Sequence, residues 1–279
     1  MFFPEKFYNR QIDKAIQNAP VVSTDIHKRI VLFSDCHRGC GTWSDSFLNN
    51  KTIYEAALTY YFNNGFTYIE LGDGDELWEN RSFDHIAEVH RDIFDLLGRF
   101  YEAGRLFMLW GNHDRIKSRH GFRAPGLPSA SEALILRGKT APDYFLVHGH
   151  QVDPLNNQGW KLARWLVRYL WRPLELSGVR DPTSAARNYD KGRMVERRLS
   201  DWARKNNAGL VAGHTHRPTL TFSEKDWRYC NTGSCVHPNT ITGIEIDQGH
   251  ISLIKWAACS DASQYIHVCR HVISGPFDM

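Results

Sequence analysis

Five apolar runs in this chain each end on Asp, Asn or His with at most one residue between. Arg29-Ile30-Val31-Leu32-Phe33 leads to Asp35-Cys36-His37, and Phe66-Thr67-Tyr68-Ile69-Glu70-Leu71 leads to Gly72-Asp73. Leu106-Phe107-Met108-Leu109-Trp110 leads to Gly111-Asn112-His113-Asp114. Tyr144-Phe145-Leu146-Val147 runs into His148-Gly149-His150, and Gly209-Leu210-Val211-Ala212 into Gly213-His214-Thr215-His216. In open α/β sheets, ligands sit just beyond the carboxyl ends of the strands. Five such ends place these groups around one crevice. Taken singly, Asp35 reads as a helix cap and Gly72-Asp73 as a turn. The bland reading fails on the set, because chance does not often end five apolar strands this way.

The spacing between the runs predicts how they are joined. Helical patterns cover 5–18, 46–64 and 84–103, so the first three runs alternate strand, helix, strand, helix, strand. That predicts a parallel βαβαβ core whose continuous apolar strands are buried on both faces. After residue 218 the pattern changes to short strands with turn signals, at 218–222, 227–231, 240–247, 250–257 and 264–272. These predict a largely antiparallel second sheet. Residues 154–206 interrupt the strand series. Asp181-Pro182 is a good helix start, helical patterns cover 160–172 and 183–205, and the whole segment reads as a helical insertion, or cap.

Composition excludes several classes. The chain has 279 residues, 42% of them hydrophobic, with a net formal charge of only +3. That is an ordinary globular balance with room for one well-buried domain, and not a nucleic-acid-binding tail. The first residues carry no secretory pattern, and no run of about 18 apolar residues predicts a spanning helix. Six cysteines without a Cys-x-x-Cys pair fit a reduced, cytoplasmic protein in which disulfides are not expected.

The ligand types at the five strand ends are imidazole, carboxylate and amide oxygen, without thiolate. That mixture suits Mn, Fe, Zn, Co or Ni rather than a structural zinc site or calcium alone. Cys36, between two candidates, reads as a small core residue. His27, His85, His90, His120, His250, His267 and His271 read as surface or packing residues. Gly233 reads as a tight turn.

The ordered set D-x-H, GD-x-x-E, GNHD, HGH and GHTH resembles the calcineurin-like metallophosphoesterase superfamily, with all five motifs in that family's order from residue 35 to 216. The resemblance implies an α/β fold, a four-layer αββα sandwich of two mixed β-sheets flanked by helices. With the helical cap insertion at about 154–206, residues 1–279 form a single domain. It also implies two divalent ions, manganese first, with Fe, Zn, Co or Ni as alternatives. Asp35, His37 and His216 would hold one ion, Asn112, His148 and His214 the other, and Asp73 would bridge both. A bridging water, its pKa lowered from about 15.7 towards about 7, would attack phosphorus as hydroxide. His113 would protonate or steady the leaving oxygen, with Asp114 holding its ring. The reaction implied is hydrolysis of a phosphate ester or pyrophosphate bond.

Substrate contacts are sought at Arg38, His150, Trp165, Arg168 and Arg217. In the cap, Leu162, Trp165, Leu166, Tyr169 and Leu170 form an apolar stripe beside the basic Lys161, Arg164, Arg168 and Arg172. The stripe reads either as plain packing or as a lid over an amphipathic, phosphorylated substrate, with a peripheral contact at the inner face of the membrane. No specific nucleic-acid partner is indicated. Gly72-Asp73-Gly74-Asp75-Glu76-Leu77-Trp78 and Gly213-His214-Thr215-His216-Arg217-Pro218 are similar to motifs of the UDP-diacylglucosamine pyrophosphatase group. That group has Arg where this chain has His113, whereas the broader family has His. A protein Ser/Thr phosphatase or nuclease on the same core is the alternative, and a non-catalytic scaffold the third reading.

Overall fold

The computed structural model describes residues 4–42, 45–139, 142–154, 189–222 and 228–279. In chain order the elements are α1 (Glu5–Ile16), β1 (Val21–Ser23), β2 (Arg29–Phe33), α2 (Lys51–Asn63), β3 (Thr67–Leu71), α3 (Phe83–Val89), α4 (Arg91–Glu102), β4 (Leu106–Leu109), β5 (Ala133–Arg137), β6 (Tyr144–Val147), α5 (Tyr189–Asn206), β7 (Gly209–Ala212), β8 (Thr219–Phe222), β9 (Arg228–Asn231), β10 (Thr240–Asp247), β11 (His250–Ser260) and β12 (Ile266–Asp278).

They form two mixed six-stranded sheets. One runs β12-β11-β10-β2-β3-β4 and the other β1-β5-β6-β7-β9-β8. The expected parallel core is present in the first sheet, where Leu32 pairs with Ile69 and Ile69 with Phe107. In the second sheet β6, β7 and β9 are parallel, with β5 and β8 antiparallel to their neighbours.

Alternation along each strand assigns its two faces. Ile30 and Leu32 point between the sheets, where they meet Leu71, Leu146 and Val211. Val31 and Phe33 point outward onto Tyr54, Leu58 and Leu97 of α2 and α4. The other sheet's outer face is covered by α1 and α5 through Ile12, Val195, Leu199 and Trp202. Helix, sheet, sheet, helix is thus the layer order. Both sheets lose both faces to protein, which is why β2, β3 and β7 read as continuous apolar runs.

The structure corrects the organisation in four places. The strands after 218 do not make a separate sheet. β8 and β9 extend the sheet of β6 and β7, whereas β10 pairs antiparallel with β2 and carries β11 and β12 with it. Residues 84–103 are two helices, broken at His90, whose backbone leaves the helical region and whose buried ring bonds Asp45 at 3.0 Å. The short β1 and β5 were not anticipated. Finally, residues 189–206, read as the second helix of the cap insertion, form α5, a layer helix packed on the sheet. The rest of the expected cap, including Trp165 and Arg168, lies outside the described residues. Among the described residues, no helix is long and apolar enough to cross a membrane.

Candidate metal centre

The five strand ends meet where the two sheets' carboxyl ends converge. Asp35 follows β2, and its Oδ1 lies 3.1 Å from Nε2 of His216, which follows β7 in the other sheet. Asp73 follows β3, and its Oδ2 lies 3.1 Å from Nε2 of His148, which follows β6. Two ligand triads result, Asp35 with His37 and His216, and Asp73 with His148 and His214, the atoms of each within 4.8 Å of one another.

The backbone is bent sharply to present these groups. Asp35, His37, Asp73, His214 and His216 have φ of 53°, 49°, 51°, 67° and 56°. That left-handed region disfavours side-chain-bearing residues at roughly 1–3 kcal/mol each and persists where surrounding structure enforces it. Glycine permits the close approach of the loops. A Cβ at Gly72, itself at φ 87°, would lie 2.7 Å from Nδ1 of His148. One at Gly111 would overlap the Asp73 carboxylate.

Five of the candidate ligands are aimed by a partner on their other atom. Nδ1–H of His148 donates to the Leu71 carbonyl at 2.9 Å. Nδ1 of His37 faces Glu76 Oε2 at 2.9 Å, and Nε2 of His214 faces Asp153 at 3.4 Å. Lys191 of α5 holds Asp153 at 3.0 Å. The second oxygen of Asp35 accepts from Ser34 Oγ and from the His214 amide, and that of Asp73 from the His113 amide at 2.8 Å. Among the candidate ligands, four buried atoms face one another or the cleft without making a hydrogen bond of good geometry: Asp35 Oδ1, His37 Nε2, Asn112 Oδ1 and His148 Nε2. Buried polar atoms are nearly always satisfied. Lone pairs of carboxylate, imidazole and amide oxygen left over together are the donor set of a divalent cation, so the residues present fit two ions.

Burial works against charge here, but the charges outweigh it. His216 and His148 hold Asp35 well below the usual carboxylate range. Burial likewise opposes the charged form of His148, yet Asp73 and Asp35 raise it to about 9. The same balance lowers Glu76 beside His113 and His37, and raises His113 beside Glu76 and Asp73.

His113 was expected to be held by Asp114. The structure corrects this: Nδ1 of His113 bonds Glu76, 2.9 Å from Oε1 and 2.7 Å from Oε2. Its ring stacks on Trp78 at 4.4 Å and 24°, and at 23% side-chain exposure it is more open than His37, His148, His214 or His216. Asp114 turns the other way. It accepts from the amides of Gly111 and Gly74 and from Lys117 at 2.7 Å, tying the β3 and β4 loops together.

Arg38 is corrected too. It is fully buried, two nitrogens on Glu70 at 2.7 and 2.9 Å and Nε on Asp75 at 2.7 Å, and so is unavailable to a substrate. His150 lies beside His148, buried against Trp110 at 5.3 Å, and burial pushes its pKa well down. It does not join either triad. Arg217 stands at the rim, 36% exposed, paired with Glu196 at 3.0 Å and stacked on Tyr189 at 4.5 Å. Cys36 is a buried core residue and Gly233 a turn at φ 77°, both as expected.

Three contributors escaped sequence reasoning. Glu76 lay in the GD-x-x-E motif but carried no assigned role. Asp153 and Lys191 gave no local signal, because their pairing joins segments far apart in the chain.

A model described as calcineurin-like phosphoesterase matches residues 28–218. No curated protein matches the chain. Similar solved structures include Vps29 of Chaetomium thermophilum, 12% identical, with 88% of this chain and 95% of that chain covered and a TM-score of 0.43. A dimetal phosphatase from Danio rerio is 10% identical over 81% and 95%, with a TM-score of 0.41. A cold-active protein tyrosine phosphatase is 13% identical over 93% and 82%, with a TM-score of 0.40. The family match begins just before β2 and ends just after the last histidine motif, taking in both triads, Asn112 and His113: this chain belongs to the calcineurin-like phosphoesterase family.

Proposed function

We propose that this chain hydrolyses a phosphate ester or pyrophosphate bond with two divalent ions, manganese first among them. The observation that carries the proposal is the set of buried lone pairs without a well-formed hydrogen bond on Asp35, His37, Asn112 and His148, gathered in one cleft. Asp35, His37 and His216 would hold one ion, and Asn112, His148 and His214 the other. Asp73 would serve both, its Oδ2 lying 3.1 Å from His148 Nε2 and 4.0 Å from His37 Nε2. When bound, the ions supply a water of lowered pKa and Lewis acidity toward phosphoryl oxygens.

The remaining work belongs to side chains. Glu76 occupies Nδ1 of His113, which leaves Nε2 as the donor to the leaving oxygen. Glu76 and Asp73 favour the protonated ring, the form a general acid needs. Glu76 also holds His37, so one carboxylate orients both an ion's ligand and the acid. Arg217, next to His216 in sequence and part-exposed, would meet a substrate phosphate by exchanging its pairing with Glu196. The substrate is a phosphorylated small molecule or amphipath.

The test is turnover by chelator-stripped protein, with and without manganese. Bis(p-nitrophenyl) phosphate, p-nitrophenyl phosphate and a UDP-lipid pyrophosphate would be compared side by side. Manganese-dependent hydrolysis with two ions per chain is expected, and the preferred compound separates diesterase, monoesterase and pyrophosphatase. Two bound ions without turnover on any of the three would sink the proposal.

A further inference from the structure

A second group of ligand-type side chains lies away from the cleft, on the ribbon of β11 and β12. Two strands, β10 and β11, separate β12 from the β2 strand that carries Asp35. The antiparallel register pairs Lys255 with His271, Ala257 with Cys269 and Cys259 with His267. Alternation therefore puts Cys259, His267, Cys269 and His271 on one face. The opposite face is spoken for: Trp256 is core and Val268 packs against it.

The ligand-type face emerges where the inter-sheet core stops. Ile251 and Leu253, earlier on the same face of β11, are buried in that core. Beyond them Cys259 and Cys269 are half-buried and His271 is exposed. The Cys259 Sγ and His271 Nε2 atoms lie 3.3 Å apart, and one ligand atom from each of Cys259, Cys269 and His271 falls within 4.8 Å of the others. A tetrahedral ion with zinc–sulfur bonds of about 2.3 Å and zinc–nitrogen bonds of about 2.0 Å sets sulfur and nitrogen roughly 3.6 Å apart. The observed spacing needs only a small side-chain adjustment to match.

We propose that Cys259, Cys269 and His271 form a second metal site, for a thiophilic divalent ion of the zinc class, with its fourth position open to solvent. Two thiols and an imidazole are a softer donor set than the carboxylates, imidazoles and amide of the cleft, so the two sites select different ions. Binding replaces two S–H protons, released to solvent, with two thiolate–metal bonds, and the imidazole binds as the neutral base. The ion would clamp β11 to the edge strand β12. The site is independent of the phosphoesterase reading and stands or falls separately.

The experiment uses the full-length, reduced protein, stripped by chelator and titrated with cobalt(II), a spectroscopic stand-in for zinc. Wild type should develop thiolate-to-cobalt charge-transfer absorption. Cys259→Ser/Cys269→Ser should lack it and bind one ion fewer per chain, while its manganese-dependent turnover stays within about twofold, since no cleft residue is altered. His271→Ala, with both thiols intact, should keep the band but weaken cobalt binding at least about tenfold. Absence of the band in reduced wild type at saturating cobalt, or its persistence in the double serine variant, would overturn the proposal. The His271→Ala protein keeps the test decisive should the double variant fail to fold.

Discussion

The cleft and the β11–β12 ribbon gather similar side chains by different means. In the cleft, loops from two sheets hold five candidate ligands in left-handed backbone, and a layer of buried partners aims four of them. Behind that layer lies a network of charge: Arg38 on Glu70 and Asp75, and Lys117 on Asp75 and Asp114. On the ribbon, strand register alone brings Cys259, Cys269 and His271 together, and solvent reaches them. The contrast teaches that preorganisation comes from supporting residues more than from ligand identity. A supported site can hold like charges and strained backbone, whereas an unsupported one must draw its order from the ion itself.

The sharpest way to break this comparison is Asp73→Ala. On the proposed reading both cleft ions would share that carboxylate, so metal analysis should show both lost and turnover at background, with the ribbon's cobalt spectrum untouched. A variant keeping two cleft ions at full occupancy would refute the bridging role.

Arg38→Met probes the supporting layer. Removing one partner of a buried ion pair typically costs about 3–5 kcal/mol, which denaturant unfolding would report. If Arg38 instead met substrate, KM would rise while stability held. The acid limb of the same network has a definite sign. Burial would raise Asp75, but Arg38 and Lys117 outweigh it and bring it down to about 2. A carboxylate lowered on folding stabilises the fold above its unfolded pKa, about 3.9, and loses that contribution as pH falls towards 2. Acid unfolding of Asp75→Asn should lack that part of the wild-type pH dependence.

His113→Ala should leave metal content intact and lower turnover ~100-fold, the loss of one general acid. Unchanged turnover would remove His113 from the reaction. Glu76→Gln should cost about 10–100-fold, because it loosens a ligand and the acid together. It should also move the alkaline limb of the pH–rate profile to lower pH, because the ring must stay protonated to act and loses the carboxylate that favours that form. Asp114→Asn should leave that limb in place, since Asp114 does not touch the His113 ring.

Much of the site was legible along the chain because metal ligands at strand ends are local features. A strand stops, in four of five cases at a glycine or serine, and Asp, Asn or His follows. Asp35, His37, Asp73, Asn112, His148, His214 and His216 all lie in such segments, and the structure brings them to one cleft. The helices α1 and α2 and the strands β2, β3, β4, β6 and β7 were likewise readable from apolar period. Sheet membership after residue 218 was not, since the pairing of Ile244 with Leu32 joins segments far apart in sequence. Local alternation cannot rank one non-local partner above another.

The sequence by itself determined which Asp, Asn and His residues end the strands, their order and the parallel core, because each depends on residue type and short-range spacing. Only the tertiary structure decided that Glu76 rather than Asp114 holds His113, that Arg38 is buried in a charge network, and that Cys259, Cys269 and His271 share a face. Those outcomes depend on which charges and strands meet across the fold. Burial makes every unpaired charge costly enough that each takes whatever partner the packing brings nearest.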